Sequence, residues 1–330
     1  MGRPFHVKGR APALANPSPI AMMPAKQGTG KSMTSSIATD SRANLFGSLW
    51  MIAAMAAFAV EDALIKAAAD TMPVAQILIL FGLGGALVFA AVARLDGQPL
   101  FVPEVLSRPM RIRVLFEICG RLFYVLAISL TPLSAATVIL QATPLVVVAG
   151  AALVFGEKVG WRRWAAILIG LVGVVVIVQP GTDGFSMLSI LAIIGMIGFA
   201  GRDLASRAAP ARISTAILGF YGFLAVIVAG ALFAFWEGAT FIRPSGPAAV
   251  ALLGAVLAGV GAYACLMKAM RTGQVSAVTP FRYTRLLFGI ALGIVIFGEE
   301  LTAPMLVGSV LIVISGLFIM WRGKQVSAAR

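Results

Sequence analysis

Stretches of about 20 apolar residues, enough to span the hydrocarbon core of a bilayer as a helix, follow one another from residue 45 to residue 321. Nothing else in the chain constrains its fold as strongly. Of 330 residues, 60% are hydrophobic and 12% charged, and the mean hydropathy is +0.97. That is too little charge to cover a soluble domain. Lipid offers the backbone no hydrogen-bond partner, so segments that satisfy their own N–H and C=O groups are expected. A barrel would read as short alternating segments, and none occur. The expected fold class is therefore an all-α integral membrane protein with ten transmembrane helices.

The spans read as 45–66, 74–93, 112–130, 133–155, 162–179, 185–206, 213–236, 247–270, 275–297 and 302–321. Pro73, Pro132, Pro180, Pro210, Pro247 and Pro304 fall at or near their boundaries, where helices stop or start. Pro144 and Pro280 fall inside spans. Each removes a backbone bond and should kink its helix.

The net charge of +13 would suit nucleic acid, but its distribution does not. The basic residues sit in the N-terminal tail and in alternate loops, without the aromatic interleaving of a single-strand binder, so nucleic acid is not an expected partner. With the N-terminus in the cytoplasm, the inner loops carry Arg94, Arg108, Arg111 and Arg113, then Lys158, Arg162 and Arg163, then Arg207 and Arg212, then Lys268 and Arg271. The C-tail adds Arg322, Lys324 and Arg330, while the outer side keeps Lys66 and Arg243. This asymmetry predicts cytoplasmic termini and a cytoplasmic (inner) membrane location.

Residues 1–43 are rich in Pro, Ser, Gly and basic residues and read as a disordered basic tail. Their segment Ala25–Ser32 loosely matches a phosphate-binding loop, but that motif needs a strand before it and a helix after it; chance is the better reading. The only histidine, His6, lies in this tail, which leaves no histidine for catalysis or a metal within the spans. Cys119 and Cys265 lie in apolar runs and read as buried thiols. No metal and no cofactor is expected.

The chain repeats itself. Phe58–Lys66 pairs with Phe199–Arg207, Ser134–Thr137 with Ser276–Thr279, and Phe155-Gly156-Glu157-Lys158 with Phe297-Gly298-Glu299-Glu300. Each half then holds five helices, 44–181 and 184–322, followed by a C-tail at 323–330. An odd number sends the second half into the membrane upside down. Loop charges agree: Lys158, Arg162 and Arg163 follow the first Phe-Gly-Glu, while no Lys or Arg follows the second before Arg322. Inverted repeats are typical of alternating-access carriers, with the site near the midplane between halves.

The stretch Leu130–Thr137, with Pro144, Phe155-Gly156-Glu157, Trp161–Trp164, Gly170–Gly173 and Gln179-Pro180-Gly181, resembles an EamA repeat of the drug/metabolite transporter superfamily. The second half is similar through Ala269, Arg271, Gly273, Ser276, Pro280 and Phe297-Gly298-Glu299. The resemblance covers about 44–322. It implies ten helices, two EamA domains and secondary transport without a cofactor. The substrates it implies range over amino acids, nucleoside-like metabolites, S-adenosylmethionine, riboflavin and toxic compounds. Phe81-Gly82 stands in the second helix where many relatives carry an arginine, so no second-helix substrate contact is carried over.

Ionisable groups within a span cost at least ~2.5–3.5 kcal/mol each near its centre, and so face partners or a watery cavity. Here they are Glu61 and Asp62, Glu117 and Arg121, Arg202 and Asp203, and Arg282 and Arg285. Glu117 and Arg121 are four apart and share a helix face, as a self-neutralising pair or as cavity lining. Arg282 and Arg285 follow Pro280; an arginine fork suits a carboxylate or phosphate, and pairing with Asp62, Asp203 or Glu117 is the alternative. Arg282 is the favoured substrate ligand and Arg285 the second. Asp62 and Asp203 occupy equivalent repeat positions and serve either salt bridges or, alternatively, cation binding or proton coupling. Arg202 and Arg207 read alternatively as snorkelling anchors. Gln141, Tyr124 and Tyr263 are further polar candidates. Gly82 with Gly85, and Gly170 with Gly173, should allow close helix packing.

These features point to a carrier for a small polar, charged or zwitterionic metabolite, amino-acid-like or S-adenosylmethionine-like. Its partners would be the solute, the lipid bilayer and a coupling proton, with a homodimer left open. A multidrug exporter is the main alternative, and a non-transporting scaffold or sensor is more remote. With no histidine in any span and no nucleophile–base constellation, an enzyme is not expected.

Overall fold

The computed structural model describes residues 30–157, 159–180, 186–210, 212–272 and 275–328. The chain divides into a short unit, Met1–Thr39, and a body, Asp40–Arg330. The helices are α1 (Gly30–Ala69), α2 (Val74–Leu95), α3 (Arg108–Leu130), α4 (Leu133–Leu140), α5 (Thr143–Phe155), α6 (Trp161–Val178), α7 (Ser189–Arg207), α8 (Thr215–Glu237), α9 (Gly246–Thr272), α10 (Val275–Val278), α11 (Thr284–Phe297) and α12 (Ala303–Ala328). Among the described residues, nine segments are long and apolar enough to cross a membrane. The tenth span is α3. Its 23 residues suffice in length, but Arg108, Arg111, Arg113, Glu117 and Arg121 lower its hydropathy.

The fourth and ninth spans are each broken, at the two internal prolines. Span four divides into α4 and α5 at Gln141 and Ala142. Pro144 has no N–H to give to the carbonyl of Leu140, and Thr143 Oγ1 donates to that oxygen instead at 2.5 Å. Span nine divides into α10, a 3₁₀ turn at Thr279–Tyr283 and α11, with Pro280 at the start of the turn.

The helices pair across the two repeats. α2 packs on its counterpart α8, α6 on α12, and α4 on α11, while α3 packs on α7. The mirror of this last pair is α1 on α9, where a Cβ on Gly254 would meet Leu64, and one on Gly259 would meet Glu61. Gly120 of α3 and Gly198 of α7 touch backbone to backbone, so neither has room for a side chain. The expected small-residue seams are present. Gly82 and Gly85 lie against Phe223 and Ile227 of α8, and Gly170 and Gly173 against Ser315 and Gly308 of α12.

α1 begins at Gly30 and α12 runs to Ala328, so both helices extend into the segments read as tails. Residues 1–29, including His6 and most of Ala25–Ser32, lie outside the described residues.

Candidate functional site

The charges that looked scattered along the sequence gather into two groups between the repeats. In the first, α1 supplies Glu61 and Asp62, each 1% exposed. Arg121 of α3 bonds Glu61 at 2.8 Å, and Arg285 of α11 bonds Asp62 at 2.5 Å. Tyr124, one turn along α3 from Arg121, donates its hydroxyl to the same Asp62 oxygen at 3.0 Å. Successive residues of a helix point about 100° apart, so Glu61 and Asp62 reach different neighbours. Rings cover the cations: Arg121 lies over Phe81 at 4.9 Å, and Arg285 over Phe58 and Tyr124 at 5.2 and 5.8 Å. Phe81 thus stacks on an arginine from the neighbouring helix.

Pairing is incomplete. Oε2 of Glu61, Oδ1 of Asp62 and the Nε atoms of Arg121 and Arg285 are buried without a hydrogen-bond partner among the described residues. Gly259 of α9 makes the room for Glu61, since a Cβ there would sit 2.9 Å from Oε2.

The second group joins α3 and α7. Glu117 lies 3.6 Å from Arg113 and 3.4 Å from Arg202. Arg202 also holds Asp203 at 2.9 Å and stacks on Phe199 at 4.7 Å. Arg113 Nε donates to Ser206 Oγ at 3.0 Å, and that hydroxyl donates to the carbonyl of Arg202 at 2.7 Å. Tyr263 lies within electrostatic reach of Arg113, Arg202 and Glu117 and meets Phe89 edge-on. This group is the more open one: the Arg202 and Asp203 side chains are 26% and 27% exposed.

Gln141 ties the two broken spans together, donating Nε2 to the carbonyl of Arg282 at 3.1 Å. Of the arginines Arg113, Arg121, Arg202, Arg282 and Arg285, Arg282 is the one whose guanidinium forms no ion pair among the described residues.

Several sequence expectations change here. Glu117 and Arg121 do not neutralise each other; each takes a partner on another helix, because both adjacent helices bring an opposite charge to α3. Arg113, read as a loop residue, is buried in α3, and its spacing of four from Glu117 was the available signal. Arg202 is a network member rather than a snorkelling anchor; the side chain of Arg207 lies outside the described residues. Asp62 and Asp203 are equivalent in sequence yet have different partners. Cys119 and Cys265 are free and partly buried. Among the described residues no group of three His, Cys, Asp or Glu is placed to hold a metal.

Paired arginines and carboxylates enclosed by two matching sets of membrane helices define a polytopic membrane protein with charged groups held between its halves. The EamA-like transporter family matches residues 45–179 and 186–321, and the chain belongs to that family. A search among curated proteins finds no significant match. A solved crystal structure of a protein shares the fold, with a TM-score of 0.55 and 21% identity over 84% of this chain and 97% of the other.

Proposed function

We propose that this protein is a secondary transporter that moves a small polar, charged or zwitterionic metabolite, amino-acid-like or S-adenosylmethionine-like, across the cytoplasmic membrane. Its two repeats, 44–181 and 184–322, alternate access to a site between them, with both termini cytoplasmic. The observation that carries the reading is the charge balance. Four arginines (Arg113, Arg121, Arg202, Arg285) face four carboxylates (Glu61, Asp62, Glu117, Asp203), and among the described residues Arg282 has no ion-pair partner. A guanidinium so placed beside a helix break favours a solute with a carboxylate or phosphate. Opening a buried pair strands two charges. A zwitterion supplies both counter-charges, so it can part Asp62 from Arg285 without leaving either bare. Asp62, once released, can carry a proton, which links transport to the proton gradient.

Multidrug export has one observation in its favour: the rings of Phe58, Phe81, Phe199 and Tyr124 line the groups. Those rings are occupied by Arg285, Arg121 and Arg202, which repel a cationic drug.

The test is uptake of an isotope-labelled metabolite pool by proteoliposomes, with and without a pH gradient. Zwitterionic or anionic components should enter, faster with the gradient. Losing a charged hydrogen bond in R282A should cut uptake about tenfold or more. Unchanged transport in both R282A and D62N would reject the site. Protection against cationic dyes without metabolite uptake would favour the exporter, and no movement of any solute a scaffold or sensor.

A further inference from the structure

We infer that Glu299 is a gate residue, which with Lys66 latches the end of the transporter at the α3–α4 turn by capping a helix of the opposite repeat. The inference rests on the carrier reading.

α4 starts without a cap of its own. The first-turn N–H groups of a helix have no acceptor within it, and the residue in the capping position is Pro132, which offers no side-chain acceptor. The acceptor comes from the other repeat. Glu299 receives the N–H of Leu133 at 2.5 Å, the N–H of Ser134 at 2.9 Å and the hydroxyl of Ser134 at 2.6 Å. A carboxylate at a helix N-terminus also meets the favourable end of the helix dipole.

The other side of the same turn is held by a cation. Lys66 of α1 donates to the carbonyls of Ile128 and Thr131, at 2.9 and 2.7 Å, where α3 ends. Its ammonium lies 5.2 Å from the ring of Phe297 and is attracted by Glu299. One turn of the first repeat is thus gripped by an anion from the second repeat and a cation from the first. Gly298 makes the grip possible: its φ of 62° is the left-handed conformation that ends α11 and turns the chain back.

These contacts are polar and few, and those of Glu299 cross between the repeats, while those of Lys66 brace the turn from within the first repeat. Water can replace each of them at small net cost, so the latch can part when the repeats rock. The first repeat carries Phe155-Gly156-Glu157 with the same left-handed glycine, Gly156 at φ 65°. E157Q therefore serves as the variant of the equivalent position at the opposite end.

Hydrogen–deuterium exchange on the reconstituted full-length protein tests the latch. In E299Q and K66Q, amides of 131–136 should exchange about tenfold or more faster, with helices elsewhere unchanged. S134A, which loses one donor only, should give a smaller rise, about twofold, in the same amides. E157Q should leave 131–136 unchanged or slower. Unchanged exchange at 131–136 in E299Q would overturn the inference. A uniform rise over all helices with a lowered Tm would also overturn it, showing fold support instead of a gate. These outcomes need no substrate. Wild-type liposomes that take up nothing would overturn the carrier reading and the gate with it; unchanged exchange in a transporting protein overturns the gate alone.

Discussion

Arg285 Nη2 sits 2.5 Å from Asp62 Oδ2 across 223 residues of sequence, and this contact ties α1 of one repeat to α11 of the other. Asp62 also accepts from Tyr124, so one carboxylate holds α1, α3 and α11 together.

Removing one member of that pair leaves a buried charge alone. D62A should therefore destabilise the protein by roughly 3–5 kcal/mol, read as a fall in thermal stability in detergent. The double variant D62A/R285A should recover much of the loss, because no charge is left unmatched. A double variant no more stable than D62A would reject the pairing.

Glu117 should couple to Arg202 and not to Arg121. A double-mutant cycle on E117Q and R202Q should give an interaction energy of about 0.5–3 kcal/mol, while the cycle on E117Q and R121Q should be additive within ~0.5 kcal/mol. Denaturation in a mixed-micelle system reads both.

Thr143 repairs the carbonyl that Pro144 leaves open. T143V keeps the shape but removes the donor to Leu140, and should cost about 1–3 kcal/mol as an unsatisfied buried acceptor. A serine at 143 should retain most of the stability; equal losses for valine and serine would show that the methyl group matters instead.

Close approach of α3 and α7 depends on the absence of a side chain at 198. G198A drives a methyl into the backbone of Gly120 and should cost roughly 1–3 kcal/mol through overpacking. G261A on α9, where a Cβ meets nothing within 4 Å, should be near neutral. Thermal melts of the two variants side by side decide this.

The number of helices, the duplication and the two broken spans were legible in the sequence, because each rests on a local property. Apolar length reports a crossing, proline removes a particular N–H, and the matched segments fix the equivalence of α1 with α7 and of α5 with α11. Even the burial of Arg113 was written in its spacing from Glu117. Partner choice was not. Glu117 and Arg121 share a face of one helix, yet each pairs elsewhere, because α7 and α1 bring Arg202 and Glu61 to within 3.4 and 2.8 Å. Asp62 and Asp203 are equivalent in the chain but meet an arginine of another helix and of their own, respectively. A charge in an apolar medium takes whichever opposite charge packing brings nearest, and packing is a property of the assembled helices. For the same reason the Phe-Gly-Glu motif, plain in the sequence, revealed its glutamate as the cap of α4 only once the two repeats were folded against each other.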